Sequence, residues 1–166
     1  MRESANSAGE YAAKIRAPFA VLGLRTNGVA VTALSYLPDD ERLLAPRDAL
    51  AERAVGEIER YLDDAAFRFT VPLAPQGTPF QRRVWEAIRA IPLAESRTYG
   101  EIARTVHTAP RAVGQACGAN RIALIIPCHR VVGSAGALGG FMNADDGDPL
   151  SIKRWLLLHE GYRFGH

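Results

Sequence analysis

Apolar positions in the first half of the chain follow two different periods. Residues 19–24 and 29–37 are apolar runs that flank Arg25-Thr26-Asn27-Gly28. Asn-Gly tolerates positive φ and joins antiparallel strands, so this pattern predicts a hairpin. Across residues 47–63, Leu50, Ala54, Ile58, Tyr61 and Leu62 recur at helical spacing among charged neighbours, which predicts an amphipathic helix. Phe67, Phe69, Val71 and Leu73 alternate with other side chains and predict a further strand, halted by Pro72 and Pro75. Residues 1–75 thus read as an α/β N-terminal scaffold domain, a small antiparallel sheet covered by a helix, with no candidate chemistry.

From residue 76 to 166 the period is mostly helical, which predicts a second, mostly helical domain. Thr78-Pro79-Phe80-Gln81 sets an N-cap Thr before Pro and a Gln three residues later, and Phe80, Val84, Ile88 and Ile91 then share one face until Pro92. Thr98-Tyr99-Gly100-Glu101 repeats the capping logic for a helix through Ile102, Ala103 and Val106. Pro110 opens another, led by Arg111, whose small residues Ala112, Gly114, Ala116 and Gly118 allow a backbone to approach closely. Two short helices across a brief turn predict a helix-turn-helix, although Gly114 and Gly118 fit tight helix packing equally well. The apolar run 123–126 reads as a buried strand ended by Pro127, which delivers Cys128 where the backbone leaves the core. Asp148-Pro149 then caps a last helix with Leu150, Ile152, Trp155, Leu156 and Leu158 on its apolar face.

Composition narrows the setting. The 166 residues hold no apolar run of membrane-spanning length, and the polar first ten residues lack the core of a signal peptide, so a cytoplasmic protein is expected. Two cysteines, Cys117 and Cys128, are too few for a disulfide framework, and with four scattered histidines they do not suggest a tetrahedral zinc site. The net charge of +2 is uneven: residues 1–75 carry 9 basic and 11 acidic side chains, residues 76–133 carry 8 and 3, and residues 134–166 carry 3 and 4. The arginines of the middle segment are an electrostatic footprint suited to phosphates.

The candidate chemistry is a thiol. Only a thiolate is a good nucleophile, and an ordinary cysteine with pKa about 8.5 is mostly protonated near neutrality. Cys128 therefore needs a base or a positive field, for which His129 and Arg130 are candidates; an inert buried cysteine is the other reading. The order Pro127-Cys128-His129-Arg130-Val131, preceded by Arg111-Ala112-Val113-Gly114 and Asn120 and followed by Trp155-Leu156-Leu157-Leu158-His159-Glu160-Gly161, resembles the O6-alkylguanine-DNA alkyltransferases. The likeness is close from Gly77 onward and looser, in layout only, before it.

That resemblance implies a suicidal DNA-repair protein. A monomer bound to double-stranded DNA takes an alkyl group from O6 of guanine, or O4 of thymine, onto Cys128, once per molecule, with no cofactor and no metal. It implies that His129 activates the thiol through a water, that Glu160 orients His129, and that Tyr99 helps rotate the target phosphate and faces guanine N3. Asn120 ties its turn to the active-site segment. The second helix of the pair enters the minor groove, Arg111 fills the space left by a flipped-out nucleotide, and Ala112, Gly114, Gln115 and Arg130 complete the DNA-facing set. Tyr99, Cys128, Val131, Phe141 and Met142 form the base pocket, with the Met142 N–H on guanine O6. Flipping is physically required, because the alkylated oxygen lies inside the duplex beyond the reach of a protein thiol.

Two departures from the family pattern carry their own expectations. Arg121 stands where Pro is usual, which predicts a looser turn; Met142 and Asn143 replace small residues, and 144–149 is an acidic insertion. Three other readings remain at this level: a non-transferring sensor of the same fold, whose known examples lack the cysteine; a Cys-His hydrolase of acyl substrates, which leaves the basic middle segment unexplained; and a plain helix-turn-helix regulator.

Overall fold

The computed structural model describes residues 10–134 and 148–164. The chain divides into two compact units, Met1–Gln76 with Arg121–Ala123, and Gly77–Asn120 with Leu124–His166. A single division after residue 75 therefore misassigns Arg121–Ala123, which belong to the first unit.

In the first unit, β1 (Ala13–Arg16), β2 (Val21–Thr26) and β3 (Val31–Leu37) form an antiparallel sheet in that order. The β2–β3 hairpin closes as its Asn-Gly pair predicts. Asn27 Oδ1 accepts the Val29 and Ala30 N–H groups at 2.9 Å, and Gly28 takes φ +90°. β1 had no clear sequence signal, because Lys14 and Arg16 break its apolar pattern; Lys14 is held at 2.7 Å by Glu41. With β1 in place β2 is central, and its Gly23 is needed for clearance, since a Cβ there would lie 2.5 Å from the Tyr11 ring.

α1 (Ala49–Asp63) is capped by Asp48, which accepts the Ala51 N–H at 2.8 Å, and buries Ala51, Ala54, Val55, Ile58 and Tyr61. Burying each larger aliphatic is worth about 1.5–3 kcal/mol. The strand expected at 67–73 does not form. Glu57, buried on α1, accepts the N–H groups of Thr70 at 2.8 Å and Val71 at 3.1 Å together with the Thr70 hydroxyl, so those donors are unavailable for a ladder. Only an isolated parallel bridge, Val31 to Leu73, remains.

Arg121 does not loosen its turn. The Leu34 N–H donates to the Arg121 carbonyl at 2.8 Å and the Ala123 N–H returns to Leu34 at 3.1 Å, so the segment is clamped to β3.

The second unit contains α2 (Pro79–Arg89), β4 (Arg97–Thr98), α3 (Tyr99–Val106), α4 (Pro110–Gly118), β5 (Val131–Val132) and α5 (Asp148–His159). Both expected capping boxes form, Thr78 with Gln81 and Thr98 with Glu101. Trp85 Nε1 donates to the Ala116 carbonyl at 2.8 Å and ties α2 to α4. α3 ends on His107 in the left-handed region, φ +61°, and α4 begins at Pro110 without a side-chain cap.

The run 123–126 is buried from Leu124 onward but is not a strand. Once Arg121–Ala123 have bonded to β3, the chain turns through Leu124 at φ +72°, and Cys128–Arg130 form a single 3-10 turn. On α5 the buried positions are Ile152, Lys153, Leu156 and Leu157, while Leu158, expected to be inward, is exposed.

Candidate active site

The short parallel pairing of β4 with β5 matches Arg97 to Val131 and Thr98 to Val132. It sets the start of α3, with Tyr99, beside the segment that carries Cys128, His129 and Arg130. No sequence pattern marked either two-residue strand. Val131 is fully buried within this ladder, and Tyr99 is half-buried.

Asn120 positions the thiol. Its backbone N–H donates to the Cys117 carbonyl at 3.1 Å, and its Nδ2 donates to the Ile126 carbonyl at 3.1 Å and to Cys128 Sγ at 3.4 Å. Contact with the Cys117 thiol pushes the Cys128 pKa well above the ordinary range, and burial adds to this. The Asn120 hydrogen bond and the Lys153 ammonium oppose the rise without cancelling it. The resting sulfur is therefore a protonated thiol, and reaction requires a route for its proton.

His129, next in the chain, is the candidate for that route. Its ring is buried, Nε2 lies 2.8 Å from Glu160 Oε2, and Nδ1 has no hydrogen-bond partner among the described residues. Arg130 donates from Nε to Glu160 Oε1 at 2.8 Å and from Nη2 to Oε2 at 3.2 Å. Burial alone would raise the Glu160 pKa, but the His129 charge and the bonds from His129 and Arg130 hold it down to about 2. An ionised carboxylate only accepts, so the Nε2 atom that faces it carries a proton, and Nδ1 is the ring nitrogen left without a partner among the described residues.

Arg130, expected on the DNA side, is committed elsewhere: besides Glu160 it holds the Ile91 carbonyl through Nη1 at 2.7 Å. It fixes the carboxylate. The positive charge acting on the thiol comes instead from Lys153, which the sequence reading missed. This lysine is fully buried, and its Nζ lies 5.9 Å from the Tyr99 ring centroid. Burial lowers its pKa to about 8, against the opposing pull of Cys117 and Cys128. A signal existed: Lys153 shares the i, i+3, i+4 stripe of Leu156 and Leu157, where a solvated lysine has no place.

On α4, Arg111 and Gln115 are exposed, Ala112 and Gly114 are half-buried, and a Cβ on Gly114 would meet nothing within 4 Å. The helix thus presents a shallow face with one long cationic side chain at its start. Phe141 and Met142, expected in the base pocket, lie outside the described residues, as does most of the acidic insertion.

Residues 79–162 match the sequence model of the 6-O-methylguanine DNA methyltransferase DNA-binding domain. A methylated-DNA–protein-cysteine methyltransferase of Methanosarcina mazei is 38% identical over 150 residues, covering 86% of this chain and 92% of that protein. The chain belongs to the 6-O-methylguanine DNA methyltransferase family. Likeness to this methyltransferase family takes in both units. A Mycobacterium bovis protein of the same name is 38% identical over 149 residues, 86% of this chain and 87% of its own. The crystal structure of Mycobacterium tuberculosis OGT in complex with DNA superimposes with a TM-score of 0.75 at 38% identity, covering 89% of this chain and 91% of that one. Among the described residues of this methyltransferase-family chain, no helix is long and apolar enough to cross a membrane.

Proposed function

We propose that this protein repairs alkylated DNA directly, moving an alkyl group from O6 of guanine in double-stranded DNA onto the sulfur of its own Cys128, once per molecule. The observation that carries this is a buried, Asn120-held thiol followed in the chain by a His129 whose Nε2 is paired with Glu160 at 2.8 Å and whose buried Nδ1 has no partner among the described residues. Membership of the methyltransferase family supports the substrate class.

The chemistry is a displacement at carbon. The Cys128 proton passes through a water to His129 Nδ1, and the resulting imidazolium is balanced by Glu160, itself fixed by Arg130. The thiolate attacks the alkyl carbon; the carbon–sulfur bond forms as the carbon–O6 bond breaks, and the electron pair leaves with guanine. Tyr99 hydrogen-bonds guanine N3 and spreads that charge. The proton taken from the thiol completes neutral guanine, so the sum is alkylguanine plus thiol giving guanine plus thioether. No cofactor enters, and the thioether lacks a group to remove it, which makes the reaction single-turnover. The same displacement fits O4-alkylthymine.

Access requires a flipped base. The α3–α4 pair acts as a helix-turn-helix whose second helix enters the minor groove with its shallow face, and Arg111 fills the vacated stack. Unstacking costs a few kcal/mol, less where alkylation has weakened pairing, so an inserted side chain sustains the open state. The protein acts as a monomer in the cytoplasm.

Titration against a duplex carrying a single O6-methylguanine tests this. Restored guanine should rise with protein and stop at one-to-one. Repair that continues past equivalence refutes single turnover, and a duplex held tightly but never repaired supports the sensor reading instead.

A further inference from the structure

The first unit carries a cavity that the repair chemistry does not use. Its volume is about 860 Å³, within the range of about 300–1,000 Å³ that takes a small ligand, and none of its lining residues belongs to the candidate active site. Three arginines line it from separate segments: Arg25 from β2, Arg47 from the approach to α1, and Arg121 from the stretch clamped to β3. Each is held differently. The Arg25 guanidinium lies 3.9 Å from the centroid of the Tyr11 ring. Arg47 bonds through Nη1, to Glu10 at 2.8 Å and to the Tyr11 carbonyl at 3.4 Å. The Arg121 carbonyl is anchored by the Leu34 N–H at 2.8 Å, while its exposed guanidinium has no ion-pair partner among the described residues. Asn27, also on the wall, commits Oδ1 to the Val29 and Ala30 N–H groups, which leaves Nδ2 as the donor of that side chain.

The acids of the cavity narrow its ligand. Glu10 and Asp48 also line it, the first paired with Arg47 at 2.8 Å and the second accepting the Ala51 N–H at 2.8 Å as the cap of α1. Three guanidiniums thus outnumber two carboxylates that already have partners, and the cavity favours an anion. A long polyanion fits poorly, because its successive phosphates would meet Glu10 and Asp48. A phosphate monoester fits better: at pH 7 it concentrates a charge of about −1.5 to −2 on one group, whose three acceptor oxygens match the planar N–H fork of arginine in pairs. Hydroxyls on the rest of such a molecule have the two carboxylates to donate to. We propose that this cavity binds a small phosphate monoester bearing hydroxyl groups, of the size of a sugar phosphate or a nucleoside monophosphate, with its phosphate on Arg121 and Arg25 and its hydroxyls on Glu10 and Asp48.

This site does not depend on the repair reading, and its test reads binding in the absence of DNA. Full-length protein is titrated by calorimetry at low salt with ribose 5-phosphate and with cytidine 5′-monophosphate, and with ribose and inorganic phosphate as the two halves of the first probe. The expected result is one-to-one binding of a monoester, about tenfold or more tighter than either half, and the tighter of the two probes names the source of the phosphate. Arg121→Ala, at an exposed position, should keep the wild-type Tm and weaken that binding by about tenfold or more, and Arg121→Lys should recover part of the loss. Monoesters that bind no better than inorganic phosphate overturn the proposal, as does an affinity unchanged in both Arg121→Ala and Arg25→Ala. If an oligonucleotide without a terminal phosphate binds and loses affinity in Arg121→Ala while the monoesters do not bind, the cavity is a DNA contact and the proposal also fails.

Discussion

Replacing Glu160 by Gln keeps the shape of a buried side chain and removes its charge. The carboxylate accepts from His129 Nε2 at 2.8 Å and from Arg130 at 2.8 and 3.2 Å; an amide has one oxygen to offer, and its NH2 group meets donors. Folding draws the Glu160 pKa from 4.5 to about 2. At 1.36 kcal/mol per unit this corresponds to about 3 kcal/mol, in line with the 3–5 kcal/mol lost when a buried ion pair loses one partner. Glu160→Gln should thus destabilise the protein at pH 7 by about 3 kcal/mol, lowering Tm by roughly 6–12 °C in a chain of this size. The folded pKa is the lower one, so the unfolded chain takes up the proton first as the solution is acidified. The contribution is complete above about pH 4.5 and drains away as pH falls towards 2. Urea unfolding of both proteins at pH 7 and across pH 2–5 measures this: wild type loses stability across that span and converges on a flatter Glu160→Gln curve. Equal stability at pH 7, or two curves that run parallel through the acid range, would refute the role given to the His129–Glu160–Arg130 cluster.

Three other substitutions separate the parts of the site. Arg111→Ala should slow repair of duplex DNA about tenfold or more, equivalent to at least about 1.4 kcal/mol, while reaction with free O6-benzylguanine changes less than about twofold. Equal losses on both substrates would contradict the stack-filling role. Lys153→Met removes a buried cation whose charge lowers the Cys128 pKa, so that pKa should rise further and the pH profile for O6-benzylguanine should shift upward. An unmoved profile would show that Lys153 is structural only. Cys128→Ala should abolish transfer yet still bind an O6-methylguanine duplex, as measured by fluorescence anisotropy; residual transfer would place the acceptor elsewhere.

What the sequence disclosed was largely what is decided locally. The capping boxes at Thr78 and Thr98, the Asn27-Gly28 turn and the helical stripe on α1 each depend on residues within a few positions of one another, and each forms. Failures occurred where a distant group intervened. The alternating residues 67–73 read as a strand until Glu57, ten or more positions earlier, captured the Thr70 and Val71 donors. β1 depends on Glu41 to shelter Lys14. In the candidate site, Cys128, His129, Asn120 and Glu160 stood out as part of a sequence motif, but Lys153 drew no attention and Arg130 was placed on the DNA side. Arg130 is bound to Glu160, and Lys153 is buried on α5. A one-dimensional pattern gives spacing along an element; it does not say which face a distant element covers.

The most direct test of the account is the intact mass of the protein after reaction with a duplex carrying one O6-methylguanine, followed by mapping of the peptide 122–130. A single added methyl in place of hydrogen, complete at equivalence and located on Cys128, is the predicted result. An unchanged mass with the duplex bound, or a methyl on Cys117 or any other residue, would contradict it.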